Sequence, residues 1–183
     1  MRNGLRRLGL AALAAALLAI PAAPSARAAQ DIGPVSKLPV PRYVSLKTDR
    51  VNLREGPSKD HRTRWVFQRA GLPVEIVAEF ETWRRIRDAD GTEGWVLHSL
   101  LSGRRTALVM PWAKNESQVI PLLARADEKA DVVARLQTNV IVSVSGCTGT
   151  WCRVTVVLPG TRDMAGFMRQ DRLWGVYPDE KTD

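Results

Sequence analysis

The chain has 183 residues and a formal net charge of +8, with 45% hydrophobic and 25% charged residues. That balance excludes a disordered polyelectrolyte and leaves room for one or two small domains. A basic excess of this size first suggests nucleic acid or another anionic surface as partner, so the location of the charge matters.

Residues 1–28 carry half of the excess. Met1 to Arg7 holds three arginines and no acid, Leu8 to Ile20 is a run of 13 mostly Ala and Leu residues, and Pro21 then breaks the segment. Ala26-Arg27-Ala28 supplies small residues for a cut after Ala28. This three-part layout is that of a secretory signal peptide. A transmembrane anchor would need roughly 20 apolar residues. The expectation is a periplasmic or secreted protein with no membrane span after cleavage. Without residues 1–28 the chain keeps 23 basic and 19 acidic groups, a net charge of +4. No single-sign run there exceeds Arg84-Arg85 or Arg104-Arg105, the pattern of a mixed solvated surface rather than of a stripe that follows phosphates.

Residues 29–41 hold three prolines among small and polar residues and read as an extended, mobile leader. The folded part is expected from Arg42, with one domain over residues 42–104, a second over 105–177 and an acidic tail at 178–183. Short alternating runs follow one another: Val51 to Arg54, Trp65 to Phe67, Val74 to Val77 and Trp83 to Arg87. Period two at this spacing predicts the strands of a small barrel or sandwich. Gly71-Leu72-Pro73 and Asp88-Ala89-Asp90-Gly91 mark turns, the second a hairpin tip.

The pattern then recurs. Val74 to Val77, Trp83 to Ile86 and Gly94-Trp95-Val96 match Val140 to Ser143, Trp151 to Val154 and Gly166-Phe167-Met168; the offset is 68 at the Trp and 72 at the Gly. Leu53 to Ser58 aligns with Leu123 to Glu128 at an offset of 70. Two copies are too few for a solenoid, so two compact domains are expected. Residues 117–136 have a helix-like composition, but the matching stretch of the first copy contains Gly56-Pro57, which argues for strand, loop, strand in both.

Val51-Asn52-Leu53-Arg54-Glu55-Gly56-Pro57-Ser58, Pro73 to Val77, Trp83, and Gly94-Trp95-Val96 through Leu100 together resemble the bacterial Src-homology-3 domain family. The second copy, with Val132 to Leu136, Gly146-Cys147, Trp151 to Val154 and Gly166-Phe167-Met168, resembles a more divergent member that has lost the Asn and the Gly-Pro turn. The resemblance implies an all-β chain of two tandem, small five-stranded barrels, and proteins of the cell envelope that bind peptidoglycan or protein segments without catalysis. It places Trp83 where this fold presents an indole at a shallow groove. An indole offers a flat apolar face and one N–H donor, suited to a sugar ring or a peptide. Two placements stay open for Trp83, in the groove or beside the core. Trp95 reads as core or groove wall, Trp65 competes for the outward face, and Arg85 completes the candidate ligand-binding set.

Cys147 and Cys152 are the only cysteines and flank a short hairpin tip, Thr148 to Trp151. In an exported chain an even count reads as a disulfide, and facing positions across an antiparallel pair are within bridging range. At the offset of 68, Glu79 and Arg84 take the same places in the first copy, which predicts a cross-strand ion pair. A metal site would need further soft or imidazole ligands, and His61 and His98, the only histidines, both lie in the other copy. No cofactor motif and no nucleophile beside a base stands out, so no enzyme is expected. The expected role is an envelope binding or scaffolding module for peptidoglycan or an envelope protein segment. The rival is a nucleic-acid-binding barrel using Trp83 with Arg84, Arg85 and Arg87.

Overall fold

The structure, a computed structural model, describes residues 31–110, 118–158, 160 and 162–182. The signal peptide expected over residues 1–28 lies outside these residues. Alternating apolar residues build the strands as expected. After a hairpin of β1 (Asp31–Ile32) and β2 (Pro39–Val40) come β3 (Arg42–Leu46), β4 (Val51–Arg54), β5 (Thr63–Phe67), β6 (Pro73–Phe80), β7 (Trp83–Arg87), β8 (Glu93–Leu97) and β9 (Leu101–Ser102). They form one antiparallel sheet in the order β5-β4-β8-β7-β6-β3-β9, with a 3₁₀ turn at His98–Leu100.

The series repeats as β10 (Thr106–Val109), β11 (Val119–Leu123), β12 (Val132–Gln137), β13 (Ile141–Thr148), β14 (Trp151–Val156), β15 (Met164–Arg169), the 3₁₀ turn Gln170–Arg172 and β16 (Leu173–Trp174). Its order is β12-β11-β15-β14-β13-β10-β16, with β17 (Lys181–Thr182) added beside β13. The fold is all-β: two small Src-homology-3-like barrels. In the first, β3, β6, β7, β8 and β9 are the five barrel strands, and β4 and β5 are the two arms of the long first loop.

Each sheet curls round its own core. Leu46, Val51, Leu53, Val74, Ile76, Ile86 and Val96 fill the first, and Val109, Leu122, Val142, Cys152, Val154 and Met168 fill the second. Along β7 and β8 the inward residues Ile86, Gly94 and Val96 alternate with outward Arg85, Arg87, Trp95 and Leu97, as the pleat requires. The turn at Asp88–Gly91 is closed by the Asp88 carboxylate, which accepts from the Asp90 and Thr92 N–H groups, while Gly91 takes φ +82°.

The strand, loop, strand expectation holds for the second copy, but the alignment of its first arm shifts by one residue. Leu122, not Leu123, takes the core place of Leu53. A Cβ on Gly94 would lie 2.6 Å from Leu53 Cγ and 2.9 Å from Arg54 O, and one on Gly166 would lie 2.8 Å from Leu122 Cγ and 2.6 Å from Leu123 O. The offset here is therefore 69. The loop keeps its shape without Gly-Pro: Glu55 N–H bonds Arg62 O in one copy and Ala124 N–H bonds Asp131 O in the other. The Asp127 carboxylate accepts from Lys129 N–H where the Ser58 hydroxyl accepts from Asp60 N–H.

Two terminal segments correct the expected boundaries. Over residues 31–41 the leader is a hairpin fastened to the first barrel, rather than a mobile extension. Its anchor is Glu79, whose buried carboxylate accepts from Val35 N–H, Ser36 N–H, Ser36 Oγ and Arg42 Nη2 at 3.1, 2.8, 2.6 and 2.8 Å. Gly33 lies so close that a Cβ there would sit 2.6 Å from Glu79 Oε2. The acidic tail likewise joins the second barrel: β17 pairs with Cys147 and Thr148, and Glu180 forms an ion pair with Arg105 at 2.8 Å.

Cys147 and Cys152 face each other across β13 and β14 with a Cα–Cα distance of 4.1 Å and are bonded. Glu79 and Arg84 face each other in the same way, with Arg84 Nε 3.4 Å from Glu79 Oε1. The disulfide closes so small a ring that loop entropy assigns it only about 2 kcal/mol. Reduction of the disulfide, which leaves both buried side chains in place, is expected to cost about this much in denaturant unfolding, and a loss above about 5 kcal/mol would contradict the entropic account.

The barrels meet through side chains from both. Tyr43 on β3 packs edge-on against Trp174 (ring centroids 5.2 Å apart) and tilted against Tyr177 (4.7 Å). Tyr177 Oη donates to Glu75 at 2.9 Å, and Thr106 Oγ1 donates to Gly71 O at 2.8 Å.

Candidate binding groove

The outer face of β4, β8 and β7 gathers three of the four ligand-binding candidates. In register, Arg54 lies opposite Trp95, Trp95 opposite Arg85, and Trp83 opposite Leu97. Beside them opens a groove of about 290 Å³ lined by Arg50, Asn52, Arg54, Lys59, Trp83, Leu97 and Leu100. Trp83 is buried, 7% exposed, without joining the connected core cluster of the first barrel, and the part of the indole left open floors the groove. That joins the two placements left open by the sequence.

Trp95 belongs to neither the core nor the groove lining. It is half-buried on the outer face, with its ring edge-on to the exposed Phe80 at 6.5 Å. Arg85 is exposed and bound to Glu93 at 2.7 Å, which keeps it out of the groove. Trp65, 59% exposed, lies apart: it lines a cleft of about 490 Å³ with Leu72, Pro73 and Asp90 of the first barrel and Leu108 of the second.

The cations of the groove escaped the sequence reading. Arg54 shares the outer face with Asn52 because both alternate with the core residues Val51 and Leu53. Its Nη1 donates to Lys59 O at 2.9 Å and His61 O at 2.6 Å, bracing the long loop and setting Lys59 on the groove rim. The period-two pattern held the signal for Asn52 and Arg54, but the position of Lys59 depends on this loop closure. The structure also brings His61 Nδ1 to 3.1 Å from Ser58 Oγ. That pair is exposed and Ser58 Oγ already accepts from Asp60 N–H, which makes it a loop brace.

The arginines invoked for nucleic acid are engaged elsewhere. Arg84 is buried against Glu79, Arg85 pairs with Glu93, and Arg87 pairs with Glu75 at 2.5 Å. Of the three arginines in that reading, Arg84 is buried and each of the other two already has a carboxylate partner.

The second barrel has a corresponding hollow of about 410 Å³, lined by Ala126, Asp127, Glu128, Lys129, Trp151 and Arg169. Arg169 takes the cross-strand place of Leu97, with its guanidinium carbon 6.0 Å from the centroid of the Trp151 ring. Glu128 and Asp171 hold it at 2.9 and 3.1 Å. Among the described residues no group of three or more His, Cys, Asp or Glu is placed to hold a metal ion, and no helix is long and apolar enough to cross a membrane.

Among solved structures the chain is similar to NlpC2 from Trichomonas vaginalis, with 12% identity and a TM-score of 0.32 over 73% of this chain and 48% of that one. It is also similar to NlpC1 from Trichomonas vaginalis, with 13% identity and a TM-score of 0.32 over 78% and 48% of the respective chains. This chain thus spans about half the length of each. No curated protein matches it. The family model described as bacterial SH3 domain matches twice, over residues 47–103 and 116–175, which takes in the long first loop, the groove and the 3₁₀ turn of each barrel. With both barrels matched over more than half of the sequence, the chain belongs to the bacterial SH3 domain family as a tandem pair.

Proposed function

We propose that this protein is an exported, noncatalytic binding or scaffolding module of the cell envelope that recognises peptidoglycan or an envelope protein segment through the first barrel. The observation that carries this reading is the groove floored by Trp83, where the indole, Asn52 and three cations converge on one open surface. The secretory layout of residues 1–28 and the disulfide agree with an oxidising compartment outside the cytoplasm.

Cosedimentation of the mature chain with purified sacculi, alongside a pull-down of envelope proteins, tests it. Trp83→Ala is expected to abolish capture in whichever assay the wild type shows it. Because truncating a buried aromatic costs about 3–5 kcal/mol, a second variant keeps the test clean. Leu97→Arg copies the second barrel's Arg169 onto a half-buried position of the outer face and is expected to cover Trp83 without unfolding the barrel. A wild-type chain captured by neither sacculi nor envelope proteins, or a Leu97→Arg variant that binds as wild type does, overturns the reading.

A further inference from the structure

Trp65 is the one exposed tryptophan among the described residues, and the fold does not require it. Strand pairing sets Trp65 opposite Leu53 in the first barrel and Ala134 opposite Leu122 in the second, so the repeat fills the same position with a methyl group. Two residues on, Phe67 and Leu136 are both buried, so that place keeps a core side chain in each copy. Trp65 instead borders the cleft of about 490 Å³ between the barrels, where Phe67, Leu72 and Pro73 meet Leu108 of the second barrel. Another hollow of about 400 Å³ follows Trp65 to Gln68 along β5, the outermost strand of its sheet. The two walls of the cleft are held together by Thr106 Oγ1, which donates to Gly71 O, and by Arg69 Nη1, which donates to Asn139 O at 3.0 Å. The cleft therefore belongs to the tandem and not to one barrel, and junctions between domains are where small-ligand sites collect.

We propose that the Trp65 cleft is a second binding site, separate from the groove at Trp83, and that it takes an uncharged sugar unit of a glycan chain. Trp65 is 59% exposed and so offers the open indole face on which a pyranose ring stacks, which Trp83, at 7%, does not. The charges around it balance. The Asp88 carboxylate is committed to its own turn, where it accepts from the Asp90 and Thr92 N–H groups, which leaves Asp90 as the acid and Arg64 as the base of the rim. Both are exposed, and neither side chain makes a hydrogen bond or ion pair among the described residues. One acceptor group and one donor group beside an apolar platform match neutral hydroxyls, which both donate and accept. A nucleic acid would need an excess of cations beside the stacking ring, and this lining has none. A protein interface buries about 800 Å² per partner, whereas Trp65 is the one exposed large apolar side chain of this cleft. A single stacked ring makes a site of roughly millimolar strength. That is too weak to retain the chain on a polymer by itself, so the cleft adds to the Trp83 groove through the linkage of two sites on one molecule.

Titration of the mature chain with chitotetraose, cellotetraose and the acidic control tetragalacturonate, followed by NMR at the tryptophan indole N–H groups, tests the proposal. A neutral tetrasaccharide is expected to shift the Trp65 indole and the amides of Thr63–Phe67 while leaving the Trp83 indole unmoved, and tetragalacturonate is expected to bind no better. A response to chitotetraose assigns an N-acetylated glycan backbone to the cleft, and a response to cellotetraose alone assigns an unacetylated polysaccharide. Trp65→Ala, a change at an exposed side chain, is expected to bind the responding sugar on the order of tenfold more weakly. Trp65→Tyr, which keeps a flat ring, is expected to stay within about threefold of the wild type. A Trp65 indole that neither neutral sugar moves, tighter binding of tetragalacturonate, or full binding by Trp65→Ala each overturns the assignment. An envelope protein whose capture depends on Trp65 while no sugar binds makes the cleft a protein-docking surface and also overturns it. The readout is independent of the envelope-binding reading, because the Trp83 indole reports the occupancy of its own groove.

Discussion

Replacing Glu79 by alanine is expected to destabilise the first barrel by about 3–5 kcal/mol, the usual cost of removing one partner from a buried charged network, and to release the N-terminal hairpin. Glu79 is the one carboxylate that meets Val35, Ser36, Arg42 and Arg84 together. Its loss leaves the buried Arg84 without a counter-ion and the hairpin without its main anchor. Thermal unfolding gives the stability loss, and hydrogen exchange at the Val35 and Ser36 amides reports the release. Unchanged protection at those amides would contradict the anchoring role.

The same carboxylate sets a pH dependence. Burial pushes the Glu79 carboxyl up, but the Ser36 hydroxyl and N–H, the Arg42 guanidinium and the Val35 N–H outweigh burial and hold it at about 2, against an ordinary value of 4.5. A group whose folded pKa is depressed stabilises the fold fully above its unfolded pKa, and that contribution is lost as pH falls through the folded one. The wild-type advantage over Glu79→Ala should therefore be constant above about pH 4.5 and shrink towards pH 2. An advantage that does not shrink on acidification would contradict the assigned network.

The second large effect is expected at Glu75. This buried residue accepts from Arg87 Nε and Nη2 and from Tyr177 Oη, and so ties the outer face of the first barrel to the end of the second. Glu75→Ala removes hydrogen bonds to a charged acceptor, worth about 2 kcal/mol or more. Because Tyr177 belongs to the other barrel, the loss falls on the junction, and one cooperative unfolding transition is expected to split into two. Tyr43 supplies an independent readout. Burial first and the nearby Glu75 charge second push its phenol up to about 12, so Glu75→Ala should bring that titration down towards the ordinary 10. A single transition at the wild-type midpoint with an unmoved phenol titration would contradict the coupling.

Period two made the strands legible, and the repeat made the tandem barrels legible. The offset of 68 even carried the correspondence between the disulfide and the Glu79–Arg84 pair, because facing residues in a hairpin keep their register when the connecting loops vary. The burial of that pair was not legible, since the cover is a hairpin some 40 residues upstream that approaches Glu79 through the main chain of Val35 and Ser36. A segment with no apolar period gives no sign of such docking. The one-residue shift at Leu122 arises because Leu122 and Leu123 are both apolar and both buried, and it takes the close approach of Gly166 and the matching loop hydrogen bonds to distinguish them. Trp83 was found through its place in the repeat, whereas Lys59 reaches the groove only through the loop that Arg54 holds.

Hydrogen exchange on the mature chain, with and without soluble peptidoglycan fragments that retain their stem peptides, tests the central claim most directly. Protection is predicted over Val51–Arg54, around Lys59 and Trp83, and across the Leu97–Leu100 turn, with no change at Trp151 or Arg169. Protection centred on Trp151 or in the cleft beside Trp65, with the Trp83 groove unchanged, would contradict it.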